Sequence, residues 1–354
     1  MLKRWGAGFS ALVLSGLLVV TGCGTKGSGG ESAAKTAPQP VAQGAGGQAK
    51  SEITRELKIR VGHISANTSL MEADAQDFKK LVEARSNGKI KVDVFCCGQI
   101  GKQQEMVEQV QLGTLEMVVS SSEMVSVVPE FGVFDLPFLF KDRTTVQKAV
   151  EGKLGQALSK KLEAKGMAGL GYWENGYRVT TNNKRPIRTP DDLKGLKIRV
   201  PPNPDRIKMF QSWGANAGPL NFSELFSALQ TGVFDGQENP LAQITSAKLY
   251  EVQKYLSVTG HVYTPTYLTA SKTWFAGLEP AAQKLLTEAA VEVGRNSRER
   301  GAKLDDEGLK LVREKGVQVN DDVDKAAFQK LGQSLYDDFE KKYGKDLVDL
   351  ALGK

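Results

Sequence analysis

Between Leu57 and Ser121 the apolar residues switch repeatedly between a period of two and a helical period, and no other feature constrains the fold so tightly. "LKIRVGH" alternates apolar and polar positions, which predicts a strand. "SLMEADAQDFKKLVEARSNG" places Leu70, Phe78, Leu81 and Val82 at helical spacing, with Gly88 as a stop. "KIKVDVF" alternates again. "KQQEMVEQVQLG" then predicts a short helix ended by Gly113, and "LEMVVSS" a third strand. Strand, helix, strand, helix, strand is the order of an open α/β sheet. The following run, "FGVFDLPFLF", is too short to span a bilayer and reads as a buried crossing segment.

A second α/β unit is expected to begin near Gly176. "WENGYRVTTNNKRP", Trp173 to Pro186, packs aromatics, amides and an arginine into what reads as a turn between the units. "RTPDDLKG" predicts a one-turn helix with Thr189 as N-cap, Pro190 at N1 and Gly195 as the stop. "LKIRVPP" repeats the pentapeptide of the first strand. A helix through Met209 and Trp213 follows, then one in "FSELFSALQTG" capped by Ser223, then a strand-like "VFDG". "YLSVTGHVYTPTYLTAS" predicts one or two strands returning toward the first unit. The stretch from Glu279 to Gly316 is a very long helical reading, interrupted at Gly294 and Gly301, that would reach across both units. In both copies of LKIRV the arginine, Arg60 or Arg199, falls opposite the apolar face, and alternation alone does not separate them; Arg60, without the "RTPDDLKG" and "PPNP" that flank the other copy, reads as a solvated strand face.

The N-terminus indicates export. Lys3 and Arg4 precede the apolar "ALVLSGLLVV", so residues 1–22 read as a signal peptide. "VTGC" resembles the lipobox of bacterial lipoproteins, which implies a diacylglycerol on Cys23 and an extracytoplasmic, lipid-anchored protein in the periplasm or on the outer face of the cell membrane. Residues 23–50 lack aromatics and are rich in Gly, Ala, Ser, Gln and Pro, the composition of a disordered tether.

Several functions are disfavoured by composition. The net charge of +6 is scattered, and no Lys/Arg run interleaves with aromatics, so nucleic acid is not an expected partner. Cys96 and Cys97 are adjacent, where two thiols do not complete a zinc site, and they read as small residues in a Gly-bounded turn. With only two histidines, His63 and His261, and no nucleophile–base motif, neither a metal, nor a cofactor, nor catalysis is expected.

Three strings together, "WENGYRVTTNNKRP", "LKGLKIRVPPNP" and "NFSELFSALQTGVFDGQENP", closely resemble the DctP-type solute-binding proteins of tripartite ATP-independent periplasmic (TRAP) transporters. The similarity runs from about Leu57 into the C-terminal helices. It implies two α/β domains of the periplasmic-binding-protein kind joined by a hinge near Asn175–Gly176, with a long helix spanning both. Domain I would comprise 51–175 plus 265–304, and domain II 176–264 plus 305–354. It also implies a receptor that binds a small organic acid and delivers it to TRAP permease subunits. By the same resemblance Arg199 is the carboxylate anchor, Arg178 a second cationic contact, Asn239 an amide contact and Phe222 an aromatic wall. Arginine suits an anchor, because its planar guanidinium grips a carboxylate with two parallel hydrogen bonds. In the first domain Ser121, with Ser122 beside it, stands where sialic-acid-binding relatives carry a glutamate, which disfavours sialic acid. Gln103 and His63 are the other expected cleft contacts, His63 because it follows a strand at its C-terminal end. A C4-dicarboxylate is the leading ligand expectation, with a sugar acid or other monocarboxylate as the alternative. The remote alternatives are a binding protein of an ATP-driven importer and a secreted lipoprotein enzyme.

Overall fold

The computed structural model describes residues 52–354. The signal peptide, the tether and the lipid attachment expected at Cys23 lie outside the described residues. Among the described residues no helix is long and apolar enough to cross a membrane.

The expected alternation is present. Strands β1 (Leu57–Gly62), β2 (Ile90–Phe95) and β3 (Met117–Ser120) are parallel neighbours. The helix Leu70–Arg85 between the first two starts at Ser69, whose Oγ accepts from the Glu72 amide. Strand β4 (Met167–Asn182) leads to β5 (Lys197–Val200), β6 (Asn216–Pro219), β7 (Gly236–Pro240), β8 (Tyr255–Ser257), β9 (Tyr263–Ser271) and finally β10 (Gln318–Asn320). The main order is β2-β1-β3-β9-β4-β7-β5-β6, with β8 beside β4 and β10 beside β8.

The expected turn at "WENGYRVTTNNKRP" is instead the second half of β4, which runs unbroken for 16 residues. Met167–Tyr177 pairs with β9, while Arg178–Asn182 pairs with β7. One strand therefore belongs to both α/β lobes. The ladder shifts register between Glu174 and Gly176, where Gly176 adopts φ +122°. Tyr177 and Val179–Thr181 are good strand formers, so the chain passes the bulge without leaving the sheet.

Three further expectations change. The strand expected at "VFDG" lies later, at "GQENP", all of it buried; a Cβ on Gly236 would meet the Thr181 carbonyl oxygen at 2.2 Å. Ser223 is not an N-cap, because Phe222–Glu224 is a 3-10 turn and the α-helix begins at Leu225. Gly294 and Gly301 do not interrupt the long helix, which spans Pro280–Glu314. They are where it crosses β4: a Cβ on Gly294 would lie 2.4 Å from the Tyr172 carbonyl oxygen, and one on Gly301 2.4 Å from Glu174 Cγ. Trp173 Nε1 donates to the Ala290 carbonyl at 2.8 Å and fixes the same crossing. The crossing segment Pro129–Asp135 is largely buried, as expected, with Phe131 and Phe134 against Tyr267.

The two copies of LKIRV part here. Arg60 is half-exposed but not merely solvated, since its Nε and Nη2 grip the Glu116 carboxylate at 2.8 Å each. Arg199 is 1% exposed.

Candidate functional site

A cavity opens where the parallel strands end. Ile64 and Ser65 follow β1, Ser121–Glu123 follow β3, Pro201 follows β5, and Asn239 sits near the end of β7. Met71, Gln103, Asn175, Arg178, Arg199, Phe222 and Gln243 complete the lining. The room inside it for a water-sized sphere is about 30 Å³, well below an ordinary small-molecule site, so these walls must separate to admit a ligand of several heavy atoms.

The two arginines differ in what they already hold. Arg178 Nε pairs with Glu238 Oε2, and its Nη2 donates to the Glu238 carbonyl at 2.7 Å, Oε1 at 3.0 Å and Asn239 Oδ1 at 3.0 Å. Glu238 in turn accepts from Arg206 Nη1 at 2.7 Å and contacts His261 Nε2 at 3.1 Å. Burial would raise the Glu238 carboxyl, but Arg178 and Arg206 outweigh it and hold it far below the usual range. Burial also pushes His261 down to about 4, so it is neutral at neutral pH. Arg206 carries the network on to Asp135. All these charges are matched, as buried charges must be.

Arg199 has no such match. Its Nε and Nη2 both reach the Leu220 carbonyl, at 2.8 and 2.5 Å, and Nη1 makes no hydrogen bond to any described residue. No carboxylate forms an ion pair with it among the described residues, although it is 1% exposed. Burial lowers it to about 10, an effect that Glu123 and Glu238 only partly offset. It therefore remains a cation at neutral pH. A buried, charged, half-satisfied guanidinium at a cavity wall has donors left over that an anion could fill.

The other expected contacts divide. Asn239 lines the cavity with its amide oriented by Arg178 and by Gln237 Oε1, to which Nδ2 donates at 2.5 Å. Phe222 forms part of the wall and is half-buried. Ser121 lines the cavity, donates to the Pro265 carbonyl at 3.0 Å and accepts from Asn175 Nδ2 at 3.1 Å. Gln103 lines it too, with Nε2 on the Val119 carbonyl at 3.3 Å. His63 does not: it is fully buried behind the wall, 2.7 Å from Glu72 Oε2.

Sequence reasoning missed Glu123, Ser65 and Gln243, and treated Asn175 only as a hinge. Glu123 stands three residues past β3, at the edge where α/β sheets bind ligands, a signal that was available. Gln243 lies in the first turn of the helix Leu241–Ser246 that follows "GQENP". Metal-ligand clusters are absent among the described residues.

Comparison with known proteins agrees with this geometry. The profile of bacterial extracellular solute-binding protein family 7, DctP, matches residues 61–342. The 2,3-diketo-L-gulonate-binding periplasmic protein YiaO of Escherichia coli (strain K12) is 38% identical over 294 residues, covering 82% of this chain and 90% of its own. The C4-dicarboxylate-binding periplasmic protein DctP of Rhodobacter capsulatus is 30% identical over 301 residues, covering 84% and 90%. The crystal structure of a TRAP periplasmic solute-binding protein from Polaromonas sp. JS666 bound to D-erythronate superposes with a TM-score of 0.81 at 36% identity, over 84% of this chain and 98% of that one.

Proposed function

Because the chain belongs to the DctP family of bacterial extracellular solute-binding proteins, we propose that it captures a small organic acid on Arg199 and passes it to the permease subunits of a TRAP transporter. The family consists of receptors, not enzymes. The observation that carries the reading is the buried guanidinium of Arg199, which has no anion of its own.

A carboxylate entering the cavity loses its water, and Arg199 replaces that hydration with a fixed cation and parallel N–H donors. Arg178 cannot do the same while it holds Glu238, so its part is to orient Asn239 beside the ligand. The lobes proposed to close over the acid are 51–175 plus 265–304 and 176–264 plus 305–354. Their hinge is Asn175–Gly176, at the register shift in β4 that comes just before the strand changes partner from β9 to β7. Diacylglycerol on Cys23 would keep the receptor at the membrane where the permease lies.

Two acid classes suit this anchor. One is the C4-dicarboxylate favoured from sequence and named for the R. capsulatus relative. The other is a hydroxylated acid, as named for the E. coli relative and bound in the Polaromonas structure. Titration calorimetry against a panel of organic acids tests the common premise. Arg199→Ala should weaken any acid that binds by more than about 100-fold, in keeping with roughly 3–5 kcal/mol for removing one partner of a buried ion pair. An unchanged dissociation constant, or binding of neutral sugars in preference to acids, overturns the reading.

A further inference from the structure

We propose that Glu123, Gln103 and Gln243 form an acceptor set that reads hydroxyl hydrogens on a monocarboxylate held by Arg199, and that Glu123 turns away acids bearing a second carboxylate. The proposal rests on the organic-acid reading above and selects between its two ligand classes.

Glu123 sits on the 3-10 turn Ser122–Ser126, is 8% exposed, and lines the same cavity as Arg199. Its carboxylate forms no ion pair or side-chain hydrogen bond among the described residues. Arg199 is the cation that acts on it most strongly, without a direct ion pair, while Arg178 and Arg206 are engaged by Glu238 and Asp135. Apart from its own backbone N–H, the carboxylate has no protein donor among the described residues, so it can accept from a ligand in the cavity. Burial raises the Glu123 carboxyl, with its own backbone N–H and then Arg199, Arg178 and Arg206 opposing the rise.

The two glutamines repeat the pattern. Gln103 is 3% exposed, and its Nε2 is committed to the Val119 carbonyl, which fixes the amide orientation and leaves Oε1 without a donor. Gln243 ends a directed chain. The Pro265 carbonyl accepts from Ser121 Oγ, Ser121 Oγ from Asn175 Nδ2, and Asn175 Oδ1 from Gln243 Nε2 at 3.2 Å. Gln243 Nε2 also donates to Ser65 Oγ at 3.1 Å, so the whole chain points its hydrogens away from Gln243 Oε1, which has no donor.

The cavity wall thus offers a cation and a carboxylate that attract each other without a direct ion pair, and two amide oxygens without donors. An acid with one carboxylate and several hydroxyls complements every one of these. A dicarboxylate satisfies Arg199 but sets its second charge among acceptors, where like charges repel and no donor is gained. A site built to bond hydroxyls also rejects analogues that lack them, because its acceptors are then stranded.

Four-carbon acids separate these terms at nearly constant size. Calorimetric titration of the purified chain at neutral pH with D-erythronate, succinate and butyrate, plus D-gluconate as a longer hydroxy acid, should give tightest binding to a hydroxy acid. Succinate and butyrate should each be weaker by at least about tenfold. Glu123→Gln, nearly isosteric, should weaken the hydroxy acid and strengthen succinate, shrinking their ratio about tenfold. Gln103→Met should weaken the hydroxy acid while leaving butyrate unchanged, and it serves if the first variant does not fold. Succinate binding tightest in the wild type, or a ratio that neither variant moves, overturns the proposal while the acid reading stands. Binding of no carboxylate at all, or retention of all affinity in Arg199→Ala, overturns both.

Discussion

Arg178 and Glu238 close a buried pair that is complete without ligand, with both carboxylate oxygens and the Glu238 carbonyl held by one guanidinium. Arg199, a strand away on β5, has only the Leu220 carbonyl. The two arginines should therefore fail differently. Arg178→Ala breaks a matched network and should cost about 3 kcal/mol of stability in the ligand-free protein. Arg199→Ala removes an unmatched charge and should leave the ligand-free melting temperature unchanged or higher. Thermal melts of both variants without ligand check this; equal destabilisation would contradict it.

Asp205 gives a pH signature. Burial, together with Asp135, lifts its carboxyl from the ordinary 3.8 to about 6. Between those values the folded protein keeps a proton that the unfolded chain has lost, so this group makes stability fall as pH rises through that window. The carboxyl is partly solvated, which keeps the effect to about 1–2 kcal/mol. Asp205→Asn should match the wild type below about pH 4 and exceed it by that amount above pH 6 in denaturant titrations.

Gly294 tests the helix crossing. Alanine should gain up to about 1 kcal/mol of helix propensity at an exposed site. Here its Cβ would meet the Tyr172 carbonyl oxygen at 2.4 Å and the Trp173 ring at 3.2 Å, and overpacking costs about 1–3 kcal/mol. Gly294→Ala should therefore lower the unfolding midpoint in denaturant despite the better helix former.

Cys23 makes a prediction that rests on sequence. Expressed in a bacterium with its own signal, the protein should partition with membranes and carry the mass of a diacylglycerol. Cys23→Ser should abolish both, as mass spectrometry of fractionated cells would report.

What was legible in the sequence followed local rules. The strand–helix order, Thr189 as a cap and Gly113 as a stop are decided within a few residues. What was not legible depended on distant partners. "WENGYRVTTN" has the glycine and amides of a turn, and only pairing with β7 and β9 keeps it a strand. Gly294 and Gly301 resemble helix breaks until β4 is laid against them. Arg178 resembles a free ligand contact because Glu238, its partner, lies 60 residues away. Arg60 likewise looked solvated without Glu116. The resemblance pointed to Arg199, Asn239 and Ser121, all of which line the cavity, but not to Glu123, two residues beyond Ser121.

The continuity of β4 bears on how such a receptor can move. A loop hinge concentrates rotation in a few free torsions and leaves the two bodies slack. Here the link is a 16-residue strand, laddered to β9, then to β7, and braced by a single helix crossing it at two glycines. Closure about Asn175–Gly176 would therefore twist bonded strand on either side of that point, in the manner of a leaf spring, and would not swing a free loop.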